Sequence, residues 1–257
     1  MDTDDGFIFG PDKYAAFNLM LARWMRHYGT SLQYRYITLG GTELYDVVNV
    51  NFINKRLVKS ALSFEDDSER FNLANEKAGY LKLQGISIDV LKDDIFEYRR
   101  SSDDPHIFYL DFTKNFSRSR YQRQFQAWFE KKIVRPGDLL LITSYLGTRL
   151  GWPKILEPYK SDFAYLNVGN LEDKKQLYLI AHPLFVLAEA LIEAGFHNKV
   201  NLNSFGALTY RNKGRSRMGL YGIVCEKGKN DLAFTLSGMP YFYTEDRNWG
   251  YLDVLSS

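Results

Sequence analysis

Between residues 34 and 143 the chain sets down five short runs of β-branched, aromatic and aliphatic residues, with polar or helix-forming stretches between them. The runs are 34–39 (YRYITL), 57–64 (LVKSALSF), 86–90 (ISIDV), 107–110 (IFYL) and 139–143 (LLLIT). Parallel neighbours in a sheet need a crossover of a dozen or more residues, usually a helix, so this alternation constrains the fold more than any other feature. The run 139–143 is aliphatic up to Thr143, as expected of a parallel strand covered on both faces. A doubly wound α/β domain is the expectation.

Helices are expected at 12–28, 43–56, 68–78, 117–132 and 177–194. In the first, Tyr14, Phe17, Leu21, Trp24, Met25 and Tyr28 recur at spacings of three and four, with Asp12 near its start and Gly29 just past its end. After Gly195, the runs 202–210 and 218–225 flank a short basic turn and read as an antiparallel hairpin. The full expectation is a mostly parallel, seven-stranded, doubly wound sheet closed by a C-terminal antiparallel hairpin. Residues 1–30 would form a helical extension, 31–226 a Rossmann-like domain, and 227–257 a C-terminal extension packed on the same domain.

Of the 257 residues, 45% are apolar, enough for a substantial core, and the net charge is only +2. Global charge therefore steers the chain neither to nucleic acid nor to a membrane. One cysteine, Cys225, excludes an internal disulfide framework and a cysteine-built zinc site, and it reads as a small buried strand residue. Four histidines without HExxH spacing give no reason to expect a metal. His106, just after Pro105, reads as a loop residue. The acidic start MDTDDGFIFG is unlike a signal peptide, and no window approaches the roughly 18 apolar residues of a membrane span, so a cytoplasmic protein without membrane contact is expected.

In an open sheet of this kind, ligands bind beyond the carboxyl ends of the strands, near the point where strand order reverses. Those ends carry chemistry here. The first run is followed by Gly40-Gly41-Thr42-Glu43, where missing Cβ atoms let backbone approach a ligand. The second is followed by Glu65-Asp66, a residue type that can accept both hydroxyls of a ribose. Asp94-Ile95 comes soon after the third, and Asp111 closes the fourth.

These features in this order resemble the class I S-adenosylmethionine-dependent methyltransferases, carried by LSFEDDSERFNLA, ISIDVLKDDIFEY, IFYLDFTKNF, VRPGDLLLITS and LAEALIEAGF with the hairpin after it. The resemblance covers roughly residues 34 to 226. It implies a small-molecule cofactor, S-adenosylmethionine, held by Gly40, Gly41, Thr42, Glu43, Glu65, Asp66, Asp94, Ile95 and Asp111. Glu65 would stand at the ribose, with Asp94 and Ile95 at the adenine. Asp111 is the candidate catalytic base or positioning group. Lys114, Tyr145 and Arg149 would line the acceptor side.

The family loop usually runs Gly-x-Gly-x-Gly after a strand that ends in an acid, whereas this chain offers Gly40-Gly41 after Leu39. Glu43 or Asp46 is the substitute for the missing acid. The signature of base-amino methyltransferases is absent, since position 111 opens Asp-Phe-Thr-Lys. The Gly-x-Gly-x-x-Gly of nicotinamide dehydrogenases is also absent.

Two basic clusters remain: Arg118, Arg120 and Arg123, interleaved with Tyr121 and Phe125, and Arg211, Lys213, Arg215 and Arg217 in the hairpin turn. Each is either a contact for nucleic-acid phosphates, with Arg215 and Arg217 the candidates, or ordinary solvated charge. Two functional readings stand. One is methyl transfer from S-adenosylmethionine to an unidentified acceptor. The other is a catalytically silent, methyltransferase-like binding subunit of a nucleic-acid-handling or other multiprotein assembly.

Overall fold

In the computed structural model, the described residues are 11–28, 32–112, 116, 118–145, 183–184, 186–211, 217–230, 240–243 and 248–251. The elements run α1 (Pro11–Tyr28), β1 (Tyr34–Thr38), α2 (Tyr45–Ile53), β2 (Val58–Phe64), α3 (Ser68–Leu83), β3 (Ile88–Leu91), a 3-10 turn (Ile95–Glu97), β4 (His106–Asp111), α4 (Arg118–Glu130) and β5 (Leu139–Tyr145). Helical residues 186–193 follow. The chain then makes β6 (Val200–Arg211), β7 (Arg217–Lys227), β8 (Pro240–Tyr243) and β9 (Asn248–Tyr251).

One sheet holds all nine strands in the order β3-β2-β1-β4-β5-β7-β6-β8-β9. Strands β1 to β5 pair in parallel, and β7 lies antiparallel between β5 and β6. The expected seven strands are present, and residues 240–251 add two that the sequence reading did not foresee. Through β8, which runs parallel to β6, the C-terminal segment joins the sheet and covers an otherwise bare edge. Strand order reverses between β1 and β4, so the ligand end of the sheet opens above that pair.

Each face of the sheet has its own core. On one side Phe17, Met20, Leu21 and Trp24 of α1 pack with Val47 and Val50 of α2 over Tyr36, Tyr109 and Leu141. On the other, Phe125 and Trp128 of α4 and Leu187 and Leu191 pack over Phe108, Leu110 and Ile142. The buried line of α1 is rotated from the expected one: Tyr14 and Tyr28 are exposed, while Lys13, Ala16 and Met20 are buried. Periodicity counts apolar residues, and here a lysine lies on the inward face because a carboxylate waits for it.

Helix α3 runs five residues beyond its expected end, because exposed Leu73, Tyr80 and Leu83 blur its apolar stripe. Asp67 caps it by accepting the Arg70 amide at 2.9 Å. Helix α2 is entered through a left-handed Leu44, φ 51°, whose side chain is fully buried. Core burial there outweighs the roughly 1–2 kcal/mol of backbone strain.

The amino ends of β4 and β5 are tied by Asp138. Its carboxylate accepts Arg100 Nη1 at 2.6 Å and Nη2 at 3.2 Å, the His106 amide at 2.8 Å and the Arg135 amide at 2.8 Å. His106 is thus no loop residue. It opens β4 fully buried, with Nε2 2.7 Å from the Tyr98 hydroxyl and Nδ1 2.7 Å from the Asp104 carbonyl. Burial, aided by the Arg100 charge, lowers its pKa to about 4, so the ring is neutral in the fold.

Candidate functional site

At the carboxyl end of β1 the chain turns through Leu39, Gly40 and Gly41 into α2. The Gly40 amide donates to Ser63 Oγ on β2 at 3.2 Å, which holds the turn over the sheet. A Cβ on Gly40 would lie 3.0 Å from Asp46 Oδ1, 3.0 Å from Leu44 Cδ2 and 3.1 Å from Ser63 Oγ, so no larger residue fits without displacement. Gly41 is different. Its φ of +59° is left-handed, and a Cβ there would meet nothing within 4 Å, so this side of the turn is open.

Beneath the turn lies Asp46, in the first turn of α2 and fully buried. Its Oδ2 accepts Thr38 Oγ1 at 2.6 Å and the Tyr36 hydroxyl at 3.0 Å. Its Oδ1 accepts no hydrogen bond. Burial pushes its carboxyl above the ordinary range, opposed by the Thr38 and Tyr36 hydroxyls and the Val47 amide and reinforced by the charge of Asp111. A buried carboxylate oxygen without a hydrogen bond costs stability.

The structure separates the two candidates for the missing strand-end acid. Glu43 is exposed, with Oε2 3.4 Å from Lys77 Nζ of α3, whereas Asp46 faces Gly40 from below. Thr42 is half-buried in the same turn.

Glu65 follows β2 immediately and is half-buried. Its amide donates to the Leu91 carbonyl, its Oε1 accepts the Asp67 amide at 3.2 Å, and burial raises its pKa. Asp66 beside it is exposed. Asp94 is exposed and caps the 3-10 turn, accepting the Phe96 amide at 2.9 Å, while Ile95 is buried in the α4-side core. The fold thus aligns the Gly40 turn, Glu65 and the Asp94-Ile95 turn along the carboxyl ends of β1, β2 and β3.

Asp111 ends β4 with both oxygens engaged: Lys13 Nζ of α1 pairs with Oδ2, and Thr143 Oγ1 of β5 donates to Oδ1. Sequence reading missed both partners. Lys13 is a lysine on an otherwise apolar helix line, and Thr143 is the polar end of an aliphatic strand; those were the available signals. Tyr145 is half-buried at the end of β5, opposite Met218, and Arg217 opens β7 opposite Arg211. Lys114, Arg149 and Arg215 lie outside the described residues.

The donor set suits S-adenosylmethionine. An unpartnered buried carboxylate oxygen suits an ammonium, a half-buried glutamate suits vicinal hydroxyls, and a turn with an open glycine face suits close ligand approach. No family model matches the sequence, and no curated protein matches it.

Solved structures do match. A putative class I S-adenosylmethionine-dependent methyltransferase from Listeria monocytogenes aligns at TM-score 0.53 and 12% identity over 95% of this chain and 67% of that one. TYW2 of P. horikoshii in complex with MeSAdo aligns at TM-score 0.51 and 10% identity, over 86% and 66%. Trm5b from Pyrococcus abyssi aligns at TM-score 0.44 and 12% identity, over 86% and 51%, so the chain spans about half the length of that protein. The chain has the Rossmann-like fold of class I S-adenosylmethionine-dependent methyltransferases.

Proposed function

We propose that the chain binds S-adenosylmethionine across the carboxyl ends of β1 to β4 and transfers its methyl group to an acceptor above β4 and β5. The observation that carries this reading is Asp46: a fully buried carboxylate with one oxygen unpartnered, lying directly under the Gly40 turn. In this reading Asp46 Oδ1 takes the cofactor's ammonium, and Thr38 and Tyr36 fix the carboxylate's orientation through Oδ2. Glu65 holds the ribose hydroxyls, with its Oε1 oriented by the Asp67 amide. Asp94 and Ile95 border the adenine, Ile95 as apolar wall and Asp94 as the cap that shapes the turn.

The bound cofactor supplies a sulfonium whose methyl is already electrophilic, so the protein's task is orientation and exclusion of water more than acid–base chemistry. Asp111 accordingly acts as a positioning group: Lys13 and Thr143 hold its carboxylate at the end of β4.

Isothermal titration with S-adenosylhomocysteine tests the reading. Saturable binding that Glu65→Ala abolishes is the expected result. Absence of heat at millimolar ligand would sink it.

The second reading, a catalytically silent binding subunit, is favoured by the engagement of both Asp111 oxygens and by Leu44 at the entry to α2, where the family loop is glycine-rich. Cofactor binding without turnover on any offered acceptor would support it.

A further inference from the structure

Asp46 is an acid enclosed by apolar packing. Leu44, Val47 and Val50, its neighbours at the start of α2, all belong to the α1-side core, and Asp46 itself is buried. No lysine, arginine or histidine pairs with it among the described residues. An uncompensated charge in such surroundings is costly, and a buried carboxyl escapes the cost by keeping its proton.

The surrounding elements leave that preference in place. From β1, the Tyr36 and Thr38 hydroxyls donate to Oδ2, and within α2 the Val47 amide helps; all three donors are neutral. Strand β4 brings Tyr109 and Asp111, and the second carboxylate adds like charge. Burial pushes the Tyr36 and Tyr109 phenols well above their ordinary range, so neither ionises in place of Asp46. Lys13, the cation that α1 carries inward, pairs with Asp111. From β2 comes the neutral Ser63 at the Gly40 turn, and the α3 cation Lys77 pairs with the exposed Glu43.

An ammonium at Oδ1 changes the balance. It places a cation at the oxygen that accepts no hydrogen bond, and the ionised carboxylate becomes the favoured form. We propose that binding of S-adenosylmethionine expels the Asp46 proton, so that acid empties the cofactor site. This coupling rests on the cofactor-binding reading and adds a proton to its stoichiometry. The carboxyl O–H bond breaks, its electron pair stays on the carboxylate, and the proton passes to solvent. The ligand's ammonium keeps its own protons. Affinity therefore rises with pH by up to about tenfold per unit and levels off above the folded pKa of Asp46.

Isothermal titration of the full chain with S-adenosylhomocysteine tests the coupling, because that ligand carries the same ammonium. Titrations run from about pH 5, above the ordinary aspartate range, to about pH 8. Each is done in two buffers of different ionisation enthalpy, with circular dichroism to show that the chain is folded. At the acid end the heat should differ between buffers in the sense of proton release, and Kd should fall as pH rises. Asp46→Asn should bind more weakly, with neither the pH limb nor the buffer-dependent heat. Thr38→Val removes a donor to Oδ2 and should move the limb to higher pH by about 1–2 units, the size of a hydrogen bond to a charged group.

Saturable binding with the same Kd across the range would overturn the coupling and leave the cofactor reading standing. So would proton release that survives Asp46→Asn, since it would belong to Glu65, the site's other acid whose pKa burial raises. A limb unmoved by Thr38→Val would overturn it too. Absence of binding at every pH would defeat the cofactor reading, and this coupling with it.

Discussion

Lys13 and Asp111, 98 positions apart in sequence, form an ion pair with side-chain exposures of only 10% and 13%. It fastens the amino end of α1 to the carboxyl end of β4, at the point where the sheet meets its proposed acceptor. Removing one partner of such a pair leaves a buried charge and costs about 3–5 kcal/mol, whereas replacing both can be neutral. Lys13→Ala should therefore lower Tm by about 10 °C, and Lys13→Met/Asp111→Asn should recover most of it. Thermal melts of the two variants check this; equal losses would mean that the pair is not the source of the cost.

The two glycines of the turn should answer differently to alanine. Gly40→Ala forces a Cβ to 3.0 Å from both Asp46 Oδ1 and Leu44 Cδ2, so it should cost about 1–3 kcal/mol and also weaken S-adenosylhomocysteine binding. Gly41→Ala meets no atom and incurs only left-handed strain, about 1–2 kcal/mol, with affinity nearly unchanged. Parallel denaturant melts and titrations separate the two effects.

Asp46 sets stability against binding. Burial raises its folded pKa, so stability declines as pH rises from the ordinary carboxylate value through that raised one. Near neutral pH, Asp46→Asn should leave the free protein as stable or more stable. It should weaken S-adenosylhomocysteine by roughly 10- to 100-fold, since a charged hydrogen bond contributes about 1.5–3 kcal/mol. A destabilised variant with intact affinity would remove Asp46 from the ammonium position.

His106 predicts an acid limb in stability. Its pKa is about 4 in the fold against an ordinary 6.5, so the unfolded chain binds the extra proton between those values. Its contribution is complete above pH 6.5 and declines as pH falls toward 4, at about 1.4 kcal/mol per pH unit and about 3 kcal/mol in all. Urea melts at several pH values should show a shallower decline for His106→Gln than for the wild type. Identical slopes would mean that the imidazole is protonated in the fold.

The strand-and-helix alternation was legible from sequence because the parallel strands here are rich in aliphatic, β-branched and aromatic residues and the stretches between them are polar or helix-forming. What escaped was whatever depends on a distant partner. Lys13 is buried because Asp111 and α1 meet in space, and His106 is neutral because burial, aided by the Arg100 charge, disfavours its protonated form. Strands β8 and β9 are four residues each, too short for a periodic signal, and β8 exists by pairing with β6. At the site, Glu43 and Asp46 were equal candidates by type and spacing; burial alone distinguishes them.

Asp138 acts at the other end of the sheet. By gathering Arg100, His106 and Arg135 it anchors the amino ends of β4 and β5, a full strand length from the ligand turns. Foundation and workplace are thus at opposite ends of the same strands. Substitutions beyond the carboxyl ends of β1 and β4 leave the Asp138 anchor itself untouched. A fold arranged this way can change its client over evolutionary time while still being the same molecule to the chaperones and proteases that police its folding.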